Sequence, residues 1–504
     1  MVVALIGALW ALGAFVPLAR AARVVVLARD GHASLRNDPF LPADALTPLP
    51  AIASTARFDP LARVAAAPTA APTAAPTAAS AAARAPAPTV RGDLARLYRT
   101  HQIDQASYAT YSGDFNSALK EVKHLSPARG DELEAVVEIL HGMAVSGTFT
   151  ASRLPVLFLT LERNAQYWSS GPLLSYGQRV EFAGSDLVWE FYPGQGIQLQ
   201  VLGSFGKADW YCKSGAMYGA QCATMLSELI PLAVQRGGGL AWEYYFNFDG
   251  GVPPWTSAMA QGTALQALAD ASKELDNQNY LTIAHEALPI FSTPPPTGVG
   301  VKTRLGMRYV QYSFASGAGE EVINAFLQTL VGLDDYAQAS GDPVAQHLFA
   351  AGDAEAEAEL PQFNTGAWSL YQPGLEDDLS YHQLVTTFLH QLCSMTTTPL
   401  YCTTAADFQS DLTTPPALRL ITTNVRAHQS SDVYFQLSKI SRVGIIVIRN
   451  GATVFLTSAE FPYGRHVFAL PPLKQAGTYT VRLDATDLAG NYSRVADTLH
   501  ASRG

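Results

Sequence analysis

The chain has 504 residues, 48% hydrophobic and 15% charged, a globular composition with room for two or three domains. A formal net charge of -10 and the lack of a dense Lys/Arg patch exclude nucleic acid as the expected partner.

At the N-terminus an apolar run from Val2 to Leu18 precedes Ala19-Arg20-Ala21, which has the small-x-small form of a signal-peptidase site. Residues 1–21 therefore read as a signal peptide or, because Arg20 and Arg23 follow the run instead of preceding it, as a short membrane anchor. Either way the reading is export, to the extracellular space or the cell envelope. Residues 22–64 carry no assigned element. Residues 65–89 repeat a Pro-Thr-Ala-Ala unit that cannot bury a core, and read as a disordered linker spacing the folded part from the N-terminus.

Residues 90–412 show helical periodicity in "GDLARLYRTHQ", "FNSALKEVKHL", "DELEAVVEILHGMAV", "TMLSELIPLAVQ", "SAMAQGTALQALADASKEL", "EEVINAFLQTLVGLDDYA" and "YHQLVTTFLHQL". The fold class expected is mainly α: an (α/α) toroid of helical hairpins. Two β-hairpin insertions are expected, at "QRVEFAGSDLVWEFYPG" and "GVKTRLGMRYVQYSF". Beyond "TTPPALRL" the period changes to two, and Asn450-Gly451 separates two apolar runs, so residues 415–504 read as an appended β-sandwich of the immunoglobulin or fibronectin kind. Cys212 with Cys222 and Cys393 with Cys402 suit two local disulfides, and neither spacing suits a metal.

Three clusters carry candidate chemistry. In "WTSAMAQG", residues 255–262, Thr256 or Ser257 can cap a helix, and the small residues admit another backbone or a ligand close by. Asn324 lies among apolar neighbours, so its amide needs partners inside, from a loop or a cavity. Arg308, Tyr309 and Tyr312 precede it on an expected strand. In "LSYHQL" Ser380 and Gln383 fit a capping box, which puts Tyr381 and His382 in a first helical turn where an anion or a tyrosinate is favoured.

"WTSAMAQG", "EEVINAFLQTLVGLDDYA", "FNTGAWSLYQ" and "SYHQL", in this order, resemble the C-terminal catalytic domain of the D-glucuronyl C5-epimerase family, and "FYPGQGIQLQ" extends the resemblance upstream. It implies an (α/α) toroid that moves the C5 proton of a hexuronate unit from one face to the other, with an acidic polysaccharide as partner and neither metal nor nucleotide cofactor. A membrane tether and a homodimer are both compatible with it. Matched residue by residue, it implies Tyr312 and Tyr381 as opposed acid and base with Tyr371 in support, and Asn324, His382, Gln261, Tyr192 and Arg308 as groups binding substrate. Under this resemblance the small residues of "WTSAMAQG" become a cleft wall. Gln311 stands where the animal enzymes have an acid, Thr256 where a tyrosine is usual, and Gly374 where an arginine is found.

Other readings follow from the same residues. A uronate lyase shares the proton abstraction and then expels the C4 substituent. Glycoside hydrolysis needs two opposed carboxylates, for which Asp334-Asp335 and Asp377-Asp378 are available. A toroid kept as a carbohydrate-binding surface protein without catalysis is the non-enzyme reading.

Overall fold

The computed structural model describes residues 21–42, 88–396 and 398–503. The apolar run at Val2–Leu18 and nearly all of the Pro/Ala/Thr tract lie outside them.

The β-branched run "RVVVL" forms β1 (Ala21–Leu27), which turns into β2 (Ala33–Pro42). Far along the chain follow β3 (Arg179–Phe182), β4 (Trp189–Tyr192) and β5 (Gly196–Leu199), and the five make one sheet in the order β2-β1-β3-β4-β5. β1 runs parallel to β3, with Val25 opposite Val180, and Val24, Val25 and Leu27 are fully buried. Residues 22–42, left unassigned from the sequence, thus pack with the main body. So do the residues from Val90 onward through the helical region.

Among the described residues, four α-helices precede β3: α1 (Val90–Arg99), α2 (Gln105–Val122), α3 (Pro127–Val145) and α4 (Leu154–Ser170). Four helical hairpins follow β5: α5 (Val201–Lys213) with α6 (Gly219–Leu229), α7 (Ala258–Glu274) with α8 (Asn279–Ala287), α10 (Ile323–Ser340) with α11 (Pro343–Glu359), and α12 (Leu379–Met395) with α13 (Pro399–Asp411). A single turn, α9 (Pro289–Ser292), trails α8. The first members, α5, α7, α10 and α12, pack side by side as an inner row, and each second member backs its own partner. Disulfides Cys212–Cys222 and Cys393–Cys402 tie α5 to α6 and α12 to α13.

α7 and α10 are buried on nearly every face, as befits helices walled in by neighbours on both sides. Where they cross, a Cβ on Gly262 would lie 2.7 Å from the Thr329 Cα, and one on Gly332 would lie 1.9 Å from the Gly262 carbonyl oxygen. The small residues of "WTSAMAQG" therefore serve helix-to-helix packing, and Ser257 caps α7 by accepting from the Ala260 amide. They are not the cleft wall that the resemblance implied.

Three short ribbons occupy the links into inner helices: β6 (Val234–Arg236) with β7 (Gly239–Ala241) before α7, β8 (Gly300–Lys302) with β9 (Met307–Tyr309) before α10, and β10 (Leu370–Gln372) with β11 (Leu375–Glu376) before α12. These links present the site.

The C-terminal region packs two sheets around a core of its own. β12 (Leu418–Leu420), β14 (Ser431–Leu437) and β17 (Gly464–Leu470) form one; β13 (Asn424–Arg426), β15 (Ser441–Arg449), β16 (Ala452–Phe461), β18 (Gly477–Asp487) and β19 (Tyr492–Ser502) form the other, in the order β13-β19-β18-β15-β16. Asn450 and Gly451 turn β15 into β16 with φ of 47° and 81°, the paired left-handed geometry that an Asn-Gly hairpin requires.

Candidate active site

Tyr312, Tyr371 and Tyr381 meet. Tyr371 sits in β10, Tyr381 in the first turn of α12, and Tyr312 just beyond β9. The Tyr371 and Tyr381 rings lie 5.1 Å apart edge to face, and the Tyr312 and Tyr371 phenols lie near enough to act on each other electrostatically. Burial raises the proton affinity of all three, and each also feels its neighbours: Tyr381 is pushed up to about 12, Tyr312 and Tyr371 higher. The α12 N-terminus does not favour a tyrosinate as expected. Burial opposes it first, and Asp378 and Asp377 add to that. The cap of α12 is Asp378, whose carboxylate accepts from the Tyr381 amide at 2.8 Å, not Ser380.

Tyr312 is fixed by backbone pairing with the start of α7. The Ser313 amide donates to the Thr256 carbonyl at 2.9 Å, the Thr256 amide donates to the Ser313 hydroxyl at 2.9 Å, and the Ala258 amide donates to the Val310 carbonyl at 3.2 Å. Arg236 braces the same corner. It reaches the Thr297 and Pro296 carbonyls at 2.6 Å each and is paired with Glu243, which a second guanidinium, Arg153, holds at 2.7 Å. Glu243 is fully buried, and its charge is held by these two cations and the Tyr245 hydroxyl at 2.7 Å. Phe248, Trp255 and Phe314 pack around the Tyr312 ring at 5.2 to 5.7 Å.

Tyr192 and its strand join the cluster from the other side of the chain. Glu190 and Tyr192 alternate with the buried Trp189 and Phe191 in β4, so both face the same way. Tyr192 accepts from Gln200 and feels the Glu190 charge; Glu190 pairs with Arg179 at 3.3 Å. The Glu190 charge acts on Tyr381 and Tyr192, while that of Glu320 acts on Tyr312 and Tyr371. Desolvation and the adjacent Asp249 push Glu320 up to about 7. Neither glutamate was singled out in the sequence. The period-two spacing of Glu190 and Tyr192 was the available signal; nothing in the loop holding Glu320 gave one.

Three other expected contacts are committed elsewhere. Gln261 is 1% exposed, and its amide accepts from the Trp242 N–H at 3.1 Å while donating to the Trp242 carbonyl at 2.8 Å. Thr256 also bonds the Trp242 carbonyl, so the departure at that position lies in packing. Arg308 is buried and ion-paired with Glu359. His382 is fully buried, stacked on Trp368 at 3.7 Å. Its Nδ1 accepts from the Ser369 amide at 3.3 Å, which leaves Nε2 as the donor to the Phe408 carbonyl at 2.9 Å. Burial brings His382 down to about 4, so it is a neutral strut and not a substrate ligand. Asn324, second residue of α10, is 2% exposed, and its amide nitrogen has no partner among the described residues.

The candidate carboxylate pairs do not oppose each other across a cleft. Asp334 is paired with Gln338 and Asp335 with Gln266 inside the helical packing. Asp377 is fully buried, accepting from the Ser369 hydroxyl at 2.5 Å, and is pushed up to about 8 by desolvation.

Comparison with known proteins finds sequence similarity to a D-glucuronyl C5-epimerase within the helical region. Residues 237–410 match the family model described as the D-glucuronyl C5-epimerase C-terminus. A D-glucuronyl C5-epimerase of Caenorhabditis elegans is 31% identical over 131 residues, covering 24% of this chain and 21% of that protein. An uncharacterized protein of Methanocaldococcus jannaschii is 27% identical over 137 residues, covering 26% of this chain and 44% of that protein. The chain thus spans less than half the length of these curated relatives. Among solved structures, a sugar epimerase from a ruminal bacterium aligns at 13% identity and a TM-score of 0.29, over 42% of this chain and 57% of that one.

Proposed function

We infer that the protein epimerises hexuronate residues of a polysaccharide at C5. The observation that carries this is the convergence of Tyr312, Tyr371 and Tyr381, contributed by links into two different inner helices, within the family-matched region. The reading takes the hairpin row as part of an (α/α) toroid over residues 90–412, with the tyrosines at its mouth and the β-domain at 415–504. It includes export, which the two local disulfides support.

A C5 hydrogen beside a carboxylate becomes removable when a base meets it on one face and the developing ene-diolate is stabilised. A phenolate on one face takes the proton, and the C–H electron pair moves into the carboxylate. A neutral tyrosine on the opposite face then returns a proton to C5 as the pair comes back. The two faces exchange protonation states. Tyr381 supplies one face, and the neighbouring Tyr312 and Tyr371 supply the other. Burial that keeps the three phenols protonated suits the donor role directly. Glu190 and Glu320 are the nearby negative charges, and both favour the protonated phenols. Asn324, with a buried unpaired donor, is suited to a substrate oxygen.

Incubating the protein with heparosan or chondroitin in deuterium oxide is expected to place deuterium at C5, read by NMR. Tyr371→Phe and Tyr381→Phe are each expected to slow incorporation by about 100-fold or more, the usual size of a lost acid–base partner. No incorporation across glucuronate polymers would overturn the reading, and full exchange by Tyr381→Phe would remove that residue from the chemistry. An ultraviolet-absorbing unsaturated product in the same tubes would instead identify a lyase.

A further inference from the structure

Tyr371 and Tyr381 belong to one short stretch, Trp368 to His382, which runs through β10 and β11 into α12. Its inward bonds are dense. The Trp368 indole donates to the Asp377 carbonyl at 2.8 Å and its ring stacks on His382; the Ser369 hydroxyl sits between Asp377 and His382 at 2.5 and 2.7 Å. Ser369, Asp377 and His382 are all fully buried, so this trio is a strut behind the tyrosines with no opening to a ligand.

The back of that strut is built by the C-terminal β-domain. Glu376, next to Asp377, accepts at one carboxylate oxygen from the Ile440 amide at 2.8 Å and at the other from the Tyr463 amide at 2.6 Å. Ile440 precedes β15, and Tyr463 lies in the turn from β16 to β17, so one carboxylate spans two separate loops of the β-domain. Lys439 lies alongside, fully buried, 2.9 Å from the Asp487 carboxylate and 5.2 Å from the centre of the Trp368 ring. Its ammonium also donates to the Asp411 and Thr414 carbonyls, at the end of α13 and just beyond it. Asn491 of the β-domain donates to the Leu412 carbonyl at 2.9 Å. A cation over the indole face that stacks on His382 adds a further attraction across the same boundary.

We propose that the C-terminal β-domain is half of the tyrosine site's framework: it fixes Trp368–His382 from behind, and Glu376 and Lys439 are positioning residues for Tyr371 and Tyr381. The proposal rests on the tyrosine cluster being the reacting site. An appended module with a separate duty, such as adhesion, has no need of a buried carboxylate spanning two of its loops one residue from the strut. A proton-transfer site has such a need, because a displacement of about 1 Å between acid, base and carbon costs on the order of 100-fold.

The test uses the full chain with Glu376→Ala, which removes both acceptors, and Glu376→Gln, which keeps the size and one acceptor. Amide hydrogen exchange is expected to quicken at least tenfold from Leu370 to His382 in Glu376→Ala, with the gain in Glu376→Gln intermediate. Amides of α7, α10 and the β15–β18 ladder should keep their wild-type rates. C5 deuterium incorporation should then fall at least tenfold in kcat with KM within twofold. Unchanged exchange at Leu370–His382 would overturn the proposal. So would exchange that quickens evenly across the β-domain and α13, which marks a general loss of stability, or a rise in KM with kcat kept. If neither wild type nor variant incorporates deuterium from any glucuronate polymer, the epimerase reading fails, and the hydrogen-exchange pattern alone still decides whether the β-domain holds this segment.

Discussion

At the scale of single residues, polar side chains on buried elements carry more structure than chemistry. Asp377 is pushed up to about 8 and Glu376 to about 7, each by desolvation first, whereas His382 is brought down to about 4. In the unfolded chain the carboxyls titrate near 4 and the histidine near 6.5. Above about pH 6.5 the histidine is neutral in both states, but the folded carboxyls still hold protons that the unfolded chain has released. Stability therefore falls as pH rises from about 6.5 to 8, because the folded state binds the excess protons. Thermal unfolding should show a lower Tm at pH 8 than at pH 6.5, and Asp377→Asn should flatten the decline; an unaltered decline in that variant would locate its source elsewhere. Tyr371 and Tyr381 could be singled out in the sequence because each stands in a short motif, whereas Tyr312 follows Gln311, a departure from the pattern it was matched to. The roles of Gln261, His382 and Arg308 were not legible there. A buried amide or imidazole looks the same in sequence whether its partner is a sugar or, as for Gln261, the backbone of Trp242.

At the scale of elements, periodicity identified α7, α10 and α12, along with the two β-hairpins, since buried inner helices and short ribbons imprint different spacings. It did not say which helices touch. That depended on Gly262 and Gly332, glycines in helix interiors whose purpose appears only when the α7 and α10 backbones meet. Gly332→Ala would push a methyl group into the Gly262 carbonyl, a clash that only a backbone shift relieves. Overpacking of this sort costs about 1–3 kcal/mol, and the backbone partner argues for the upper end. The expected result is a lower Tm with α-helical circular dichroism retained at 25 °C; an unchanged Tm would mean that the two helices are not held at this separation. Alanine at the exposed, open Gly113 is the control that should cost nothing of this kind.

At the scale of the whole molecule, the least legible feature was the return of the N-terminal strand. "RVVVL" follows an apolar run with a cleavage-like site, which drew the reading towards processing and away from strand formation, although three consecutive valines favour a strand. Pairing with β3, more than 150 residues later, is a contact that no local pattern reports. Val24, Val25 and Leu27 are fully buried, and removing them from the core costs roughly 2 kcal/mol each on the usual scale for aliphatic side chains. A chain beginning at residue 88 is expected to lose on the order of 6 kcal/mol and to unfold at a clearly lower temperature than the full chain; equal midpoints would show that β1 is dispensable.

The Glu376 carboxylate, shared between the Ile440 and Tyr463 amides, also bears on how such a chain can be recombined. A module joined only by a linker is portable, and a substitute of any fold will serve. Here a substitute would have to present two backbone donors at the spacing of one carboxylate and an ammonium beneath Trp368. Grafting a different β-domain at residue 415 is therefore a redesign of the helical domain's surface, and the junction tolerates exchange only among modules that already carry those three groups.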